Sequence, residues 1–160
     1  MQLHTPLWNF VLAVYAQPEV EALCLSLQND HGLSINRLLF AGWLASEKKE
    51  LDLDVLAQTR AIRWQSEITA PLRALRYRVR DDLKLAAAGV YGAMRRAELE
   101  AERVELAFLY DASLAWPQQT AKTVKELVTA NLMSLLKDTG EAKVNAIKVL
   151  EVAFLDTITE

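Results

Sequence analysis

Apolar residues recur three or four positions apart along almost the whole chain, and no segment sustains an alternation of apolar and polar residues. That period matches one face of an α-helix rather than the two faces of a strand, so the fold class is read as all-α. A chain of 160 residues fits one domain, because division would leave each half a poor core. The expectation is therefore a single helical domain over residues 1–160, a bundle of about six or seven helices.

Local signals place the helices. Thr5 can cap a first helix with Pro6 at its first position, where a missing N–H costs nothing, and Trp8, Val11, Leu12 and Tyr15 would share its inner face. Pro18 restarts the chain, and Glu19 and Glu21 would occupy the first turn of a second helix whose stripe is Val20, Leu23, Cys24 and Leu27. Gly32 ends it. Ser34 can cap a third helix to about Ser46, whose "LLFAGWLA" is apolar on nearly all sides and so belongs at the centre. Gly42 within it costs about 1 kcal/mol relative to Ala, which implies close approach by a neighbour.

The polar "SEKKELD" reads as an exposed connection. Asp52 or Asp54 can start a fourth helix with Leu56, Arg60, Trp64 and Ile68 in register, and Pro71 marks a break or kink. Next, Leu83, Ala87, Val90, Met94, Ala97, Ala101, Val104 and Phe108 form a heptad-like seam, predicting one long helix from about Asp82 to Asp111 unless Gly89 and Gly92 split it. Two last helices are expected near residues 118–137 and 141–157, parted by Gly140.

Composition removes several classes. Hydrophobic residues make up 52% of the chain while Gly is only 5 and Pro 4, so it is neither disordered nor loop-rich. The lone cysteine, Cys24, sits between Leu23 and Leu25 and is expected as a buried free thiol. Residues 1–18 hold no Lys or Arg, which removes the positive end of a secretory signal, and the longest apolar run, Leu38 to Ala45, falls far short of the roughly 20 residues a membrane span needs. A cytoplasmic chain without membrane insertion is the expectation.

The helix-turn-helix outline of "LSLQNDHGLSINRLLFAGWLA" does not point to DNA, since a recognition helix must offer polar groups to base edges and here only Asn36 and Arg37 qualify. As ligand groups, Gln28, Asn29, His31, Asn36 and Arg37 gather near two helix ends, though each also suits a helix terminus or turn. A basic segment follows: between residues 60 and 84 seven basic residues oppose three acids, leaving +4 there and −7 elsewhere within a net charge of −3. Arg73, Arg76 and Arg80 fall on one helical face, where a polyanion or phosphate could engage several guanidinium forks, with Trp64 and Tyr77 adding stacking. Glu98, Glu102 and Glu105 lie near one face of the long helix and read most simply as surface charges paired with Arg95 or Arg103. Neither His4 nor His31 has a glutamate three residues before it, as a di-iron bundle requires, and "RDDLKL" lacks the third acid of a diphosphate-binding motif. No Gly-rich phosphate loop, zinc spacing or nucleophile elbow occurs, so no catalytic residue, metal or cofactor is assigned and the reading leans away from an enzyme.

Three ordered segments, "LWNFVLAVYAQPEVEALCLSLQNDHGLSINRLLFAGWLA", "RWQSEITAPLRALRYRVR" and "AELEAERVEL", carry the patterns W-x-F, C-L-x-L-Q, N-x-L-L-F, W-L, P-L-R-x-L-R and E-L-x-A-E. Over about residues 8 to 106 the chain thereby resembles a family of short proteobacterial proteins catalogued as a domain of unknown function. The resemblance implies no activity. Its polar members, Gln28, Asn36, Arg73, Arg76, Glu98 and Glu102, are the nominees for a shared polar cluster. In that cluster the arginines either meet the glutamates of the long helix or stay open to an anion near Gln28 and Asn36.

The leading functional expectation is action through protein contacts, as a homodimer along the long-helix seam. The alternative is a binder of a small or phosphate-bearing anionic ligand, an enzyme included, built on Gln28, Asn36, Arg73 and Arg76 with Glu98 and Glu102 as partners. Nucleic-acid binding through Arg60 to Lys84 is the weakest of the three, because the total charge offers no general attraction to a polyanion.

Overall fold

The computed structural model describes residues 1–159. Among them the regular structure is helical throughout: α1 (Pro6–Tyr15), α2 (Val20–His31), α3 (Ile35–Ser46), α4 (Leu53–Ala57), α5 (Arg60–Trp64), α6 (Ala70–Asp81), α7 (Leu83–Ala86), α8 (Gly89–Ser113), α9 (Val124–Leu136) and α10 (Ala142–Thr159). A π-helical turn, Gln65–Thr69, joins α5 to α6 without a break. Continuous helices therefore number nine among the described residues, more than the six or seven expected, because short pieces such as α4 and α7 carry no periodic signal of their own.

Side-chain caps account for several helix starts. Thr5 accepts from the Trp8 N–H at 3.1 Å, Ser34 from Arg37, and Asp52 from Asp54 and Val55, each satisfying a donor that the helix leaves open. Thr123 and Glu126 form a reciprocal capping box at α9. Gly32 ends α2 in the left-handed region at φ 65°, where glycine carries no steric cost. Glu19 stands outside α2 rather than in its first turn: it takes φ 67° as the residue before Val20, and α1 and α2 meet there at 98°. On α1 the inner face is Leu7, Phe10, Val11 and Val14, while Leu12 is half exposed.

The central helix is α3. It packs chiefly on α9 and also on α1, α2 and α8, and Leu38, Leu39, Phe40 and Leu44 are all buried, each contributing about 2 kcal/mol by removal of apolar surface from water. Edge-on and stacked aromatic pairs tie the layers together: Phe40 with Trp116, Phe10 with Trp43 and Phe154, Trp64 with Phe108. Gly42 faces the Phe154 ring, so the neighbour implied by its cost is present.

The connection after α3 is not simply exposed. Lys49 and Leu51 are buried: the Leu51 N–H donates to Asn131 Oδ1 at 2.8 Å, Lys49 Nζ donates to the Ser113 carbonyl at 2.7 Å, and Asn131 donates to the carbonyls of Ala41 and Lys49. A single buried amide thus replaces the water that a polar loop would otherwise need.

Pro71 causes no break. The turn before it widens instead, with the Ala70 N–H reaching Gln65 O five residues back, which accommodates a residue that has no N–H and whose ring crowds the preceding turn. The extra residue shifts the inner face by one position. Ala61 and Trp64 are followed inward by Thr69, Arg73 and Arg76, while Ile68 is left exposed.

The long helix begins later than Asp82. Asp82 caps α7 by accepting from Lys84 and Leu85, the chain turns at Ala87 and Ala88, and α8 then runs 25 residues, about 37 Å, straight through Gly92. Its first nine residues bury no side chain fully, whereas Glu98, Ala101, Glu105, Leu106, Ala107, Phe108, Leu109 and Ser113 are buried. The second half of α8 is core. The first half, with α6 and α7, forms a two-helix arm in which neither α6 nor α7 has a fully buried residue. The last two helices start and stop within a few residues of expectation, except that residues 118–123 precede α9 as an irregular segment.

No single helix among the described residues is long and apolar enough to cross a membrane, and Cys24 is buried with its thiol pushed up to about 12 by burial.

Candidate functional site

The arm is held by charge. Arg73 Nε donates to Glu98 Oε1 at 2.9 Å and its Nη2 to Glu102 Oε1 at 2.7 Å. Arg76 Nε donates to the other Glu98 oxygen, its Nη2 reaches Glu98 Oε1 at 3.4 Å and its Nη1 reaches the Tyr91 hydroxyl at 3.3 Å. Residues 73 and 76 meet 98 to 102 and 91 to 98 in reverse order, so α6 and α8 run antiparallel. Both arginine side chains are 15% exposed and Glu98 6%, so these charges are mostly withdrawn from water and compensate one another. The hydrogen bonds to Glu98, with Tyr91 adding to them, hold Arg76 firmly charged.

The structure therefore brings Arg73, Arg76, Glu98 and Glu102 into one cluster. Asn36 joins it at the edge, donating to the Glu102 backbone carbonyl at 3.5 Å. Gln28 does not: it is half-buried on α2, and no side-chain hydrogen bond connects it to the cluster among the described residues. The Arg73 and Arg76 hydrogen bonds named above go to the protein's own carboxylates and to the Tyr91 hydroxyl. Glu98 and Glu105 are not surface charges, being 5% and 1% exposed, and Arg103 pairs with Glu100 rather than Glu102.

The basic segment is dispersed by the same geometry. Arg73 and Arg76 turn toward α8, whereas Arg80 on the same face stays exposed. Arg60 lies over the Phe108 ring, Arg63 pairs with Glu67, and Arg80 lies over Tyr77 beside Asp81. Trp64 donates to the Ala101 carbonyl at 2.9 Å and Tyr77 to Asn29 at 3.3 Å, so neither ring stands free as a stacking platform.

Beneath the cluster is a residue that the sequence reading passed over as a surface charge. Burial raises the Glu105 carboxyl to about 7, with Glu102 adding to the rise and the Asn36 amide and the Arg37 and Arg73 guanidiniums opposing it. Its Oε1 has no hydrogen-bond partner, which a neutral carboxyl tolerates better than a charged one. Burial and the nearby Glu98 also raise Glu102, against the pull of Arg73 and Arg76. Nearby, burial lifts Tyr15 to about 12, reinforced by Cys24, Glu21 and Glu102. The spacing 98, 102, 105 was the available signal, since residues four and seven apart share a helical face and the same face carries Ala101 and Phe108 of the apolar seam beside it.

Chemically, the site is a set of neutralised ion pairs above one proton-holding carboxyl. The chain's one thiol, Cys24 on α2, is buried and kept protonated, which removes nucleophilic reactivity. Among the described residues no three His, Cys, Asp or Glu side chains gather to hold a metal ion.

A family model described as a protein of unknown function, DUF2390, matches residues 6–109, which run from α1 into the core half of α8 and include the whole cluster. No curated protein and no solved structure matches the chain.

Proposed function

We propose that this chain, which belongs to the DUF2390 family of unknown function, acts through protein contacts and pairs with a second copy of itself along the arm formed by α6, α7 and the first half of α8. The observation that carries this reading is the register shift at the π-turn. Without it, Ile68, Leu72, Leu75 and Val79 would follow Trp64 inward at helical spacing. With it, Thr69, Arg73 and Arg76 take the inner face, and Ile68 and Leu75 stand 38% and 45% exposed.

On α8 the same holds for the first half of the seam. Leu83 just before it is 86% exposed and Val90 43%, while Ala101 and Phe108 further along are buried. Because the arginine–glutamate pairs fix which faces of the antiparallel helices meet, helical geometry puts Ile68, Leu72, Leu75 and Val79 on the same side of the arm as Val90, Met94 and Ala97. That side has no charged residue along either stripe, so two copies meet there without like-charge repulsion, and it continues into the core seam of the same helix. A contiguous apolar face of this kind marks an interaction surface rather than a solvated one. In the seam's isologous pairing each copy supplies the same patch. The cytoplasmic setting belongs to this proposal and is supported by the single reduced cysteine.

Sedimentation equilibrium over a wide concentration range tests the reading. A dimer that Leu83→Glu with Val90→Glu converts to a folded monomer supports it, and these exposed positions leave the core untouched. A strict monomer at the highest concentrations removes self-pairing, and an association unaffected by those two changes removes the arm.

A further inference from the structure

A cleft of about 190 Å³ opens between the turn that joins α2 to α3 and the helices α4 and α9. Leu33, Leu53 and Leu135 form its apolar walls, and Ser34, Ser134 and Arg37 supply its polar groups. No acidic side chain lines it. Arg37 is half-buried and its Nε is buried without a partner. Among the described residues no carboxylate lies within ion-pair distance of its guanidinium, in contrast to Arg73 and Arg76 in the neighbouring cluster. Glu105 is the acid whose charge acts on it, and burial raises that carboxyl to about 7, so at neutral pH it is only partly ionised.

We infer that this cleft binds a small aliphatic carboxylic acid as its anion, with Arg37 as the counter-charge. A partly desolvated guanidinium that pairs with no carboxylate and whose Nε has no partner favours a planar, bidentate acceptor, and a carboxylate fits that fork. Ser34 adds one donor: its oxygen accepts from the Arg37 N–H, which leaves the hydroxyl hydrogen free. Ser134 does not, because its hydroxyl already donates to the Ala130 carbonyl. Leu38 lines the cleft as well, and its four leucines offer a dry wall for a short hydrocarbon body and nothing for a second charge or a sugar. The volume lies below the roughly 300 Å³ at which pockets for drug-sized ligands begin, so the ligand is limited to a few carbons.

Butyrate serves as the probe, with inorganic phosphate and butanol beside it, followed by amide NMR of the full chain. The expected result is a saturable response to butyrate at residues 33–38 and around Leu135, with a Kd on the order of 1 mM, and weaker responses to phosphate and butanol because each lacks one half of the match. Arg37→Gln weakens the butyrate response by about tenfold or more, the loss expected of a charge-assisted fork. Leu53→Trp, which fills the cleft and leaves the charge in place, abolishes it in a chain whose remaining spectrum is native. No saturable response, an equal response to phosphate or butanol, or a response that survives both substitutions overturns the inference.

Discussion

The ring of Phe154 fills the space in which residue 42 has no side chain: a Cβ on Gly42 would stand 2.6 Å from Phe154 Cδ1. Gly→Ala in a helix interior ordinarily stabilises by about 1 kcal/mol. Here the added methyl must displace a fully buried ring that also stacks on Phe10 at 5.9 Å, and overpacking of that kind costs about 1–3 kcal/mol. Gly42→Ala is therefore expected to lower stability in urea unfolding, and Phe154→Leu in the same chain should recover part of the loss. A Gly42→Ala protein more stable than the parent would contradict the contact.

Asn131 bears a second local load. It is fully buried and serves three backbone groups on two segments, Leu51 N–H, Ala41 C=O and Lys49 C=O. Asn131→Ala leaves Leu51 N–H and Lys49 C=O without a partner in a dry site, at about 1–3 kcal/mol for each unsatisfied group, while Ala41 C=O, inside α3, keeps its helical bond. We expect a loss of several kcal/mol, and hydrogen exchange should show the Leu51 amide losing protection before the amides of α3. A change within about 0.5 kcal/mol would mean the loop is held by other contacts.

Two ion pairs of the same residue types should behave differently. Glu98→Ala takes from Arg76 its only carboxylate and from Arg73 one of two, both side chains being largely withdrawn from water, and is expected to cost about 3–5 kcal/mol. Arg63 and Glu67 pair at 3.0 Å with side chains 78% and 58% exposed, and Glu67→Ala should change stability by no more than about 0.5 kcal/mol. Thermal unfolding of both variants in one buffer makes the comparison. Equal effects would show that burial does not separate the pairs.

Much of the helical frame was legible because it rests on local chemistry. Thr5, Ser34 and Asp52 cap where hydroxyl and carboxylate residues precede apolar stripes, and Gly32 ends α2 where a left-handed residue was needed. The arginine–glutamate cluster was legible only as one of two alternatives, since the same residues could equally have left the arginines open to an anion. What sequence hid depends on tertiary compensation. Pro71 reads as a break unless the preceding turn can widen. "SEKKELD" reads as solvated unless a distant amide, Asn131, supplies its hydrogen bonds. Glu105 reads as a surface charge because the stripe that buries it, over α1 and α3, lies about 70 to 100 residues earlier in the chain.

The proton on Glu105 makes stability depend on pH in a stated direction. In the unfolded chain this carboxyl ionises near 4.5, while in the folded chain burial keeps it protonated to about 7. Below pH 4.5 both states hold the proton and the group contributes nothing to the difference. As pH rises toward 7 the unfolded state loses its proton first, so unfolding is favoured, and above 7 the full penalty of about 3 kcal/mol applies. Glu102, raised in the same direction, steepens the decline, while Asn36, Arg37 and Arg73 moderate the Glu105 part of it. Urea unfolding between pH 5 and 8, a window set by the linkage relation, should show stability falling for the parent and a flatter profile for Glu105→Gln. The slope is the readout, because an amide at this position alters local hydrogen bonding equally at every pH. Parallel profiles for the two proteins would place the charged form of Glu105 at no disadvantage in the fold.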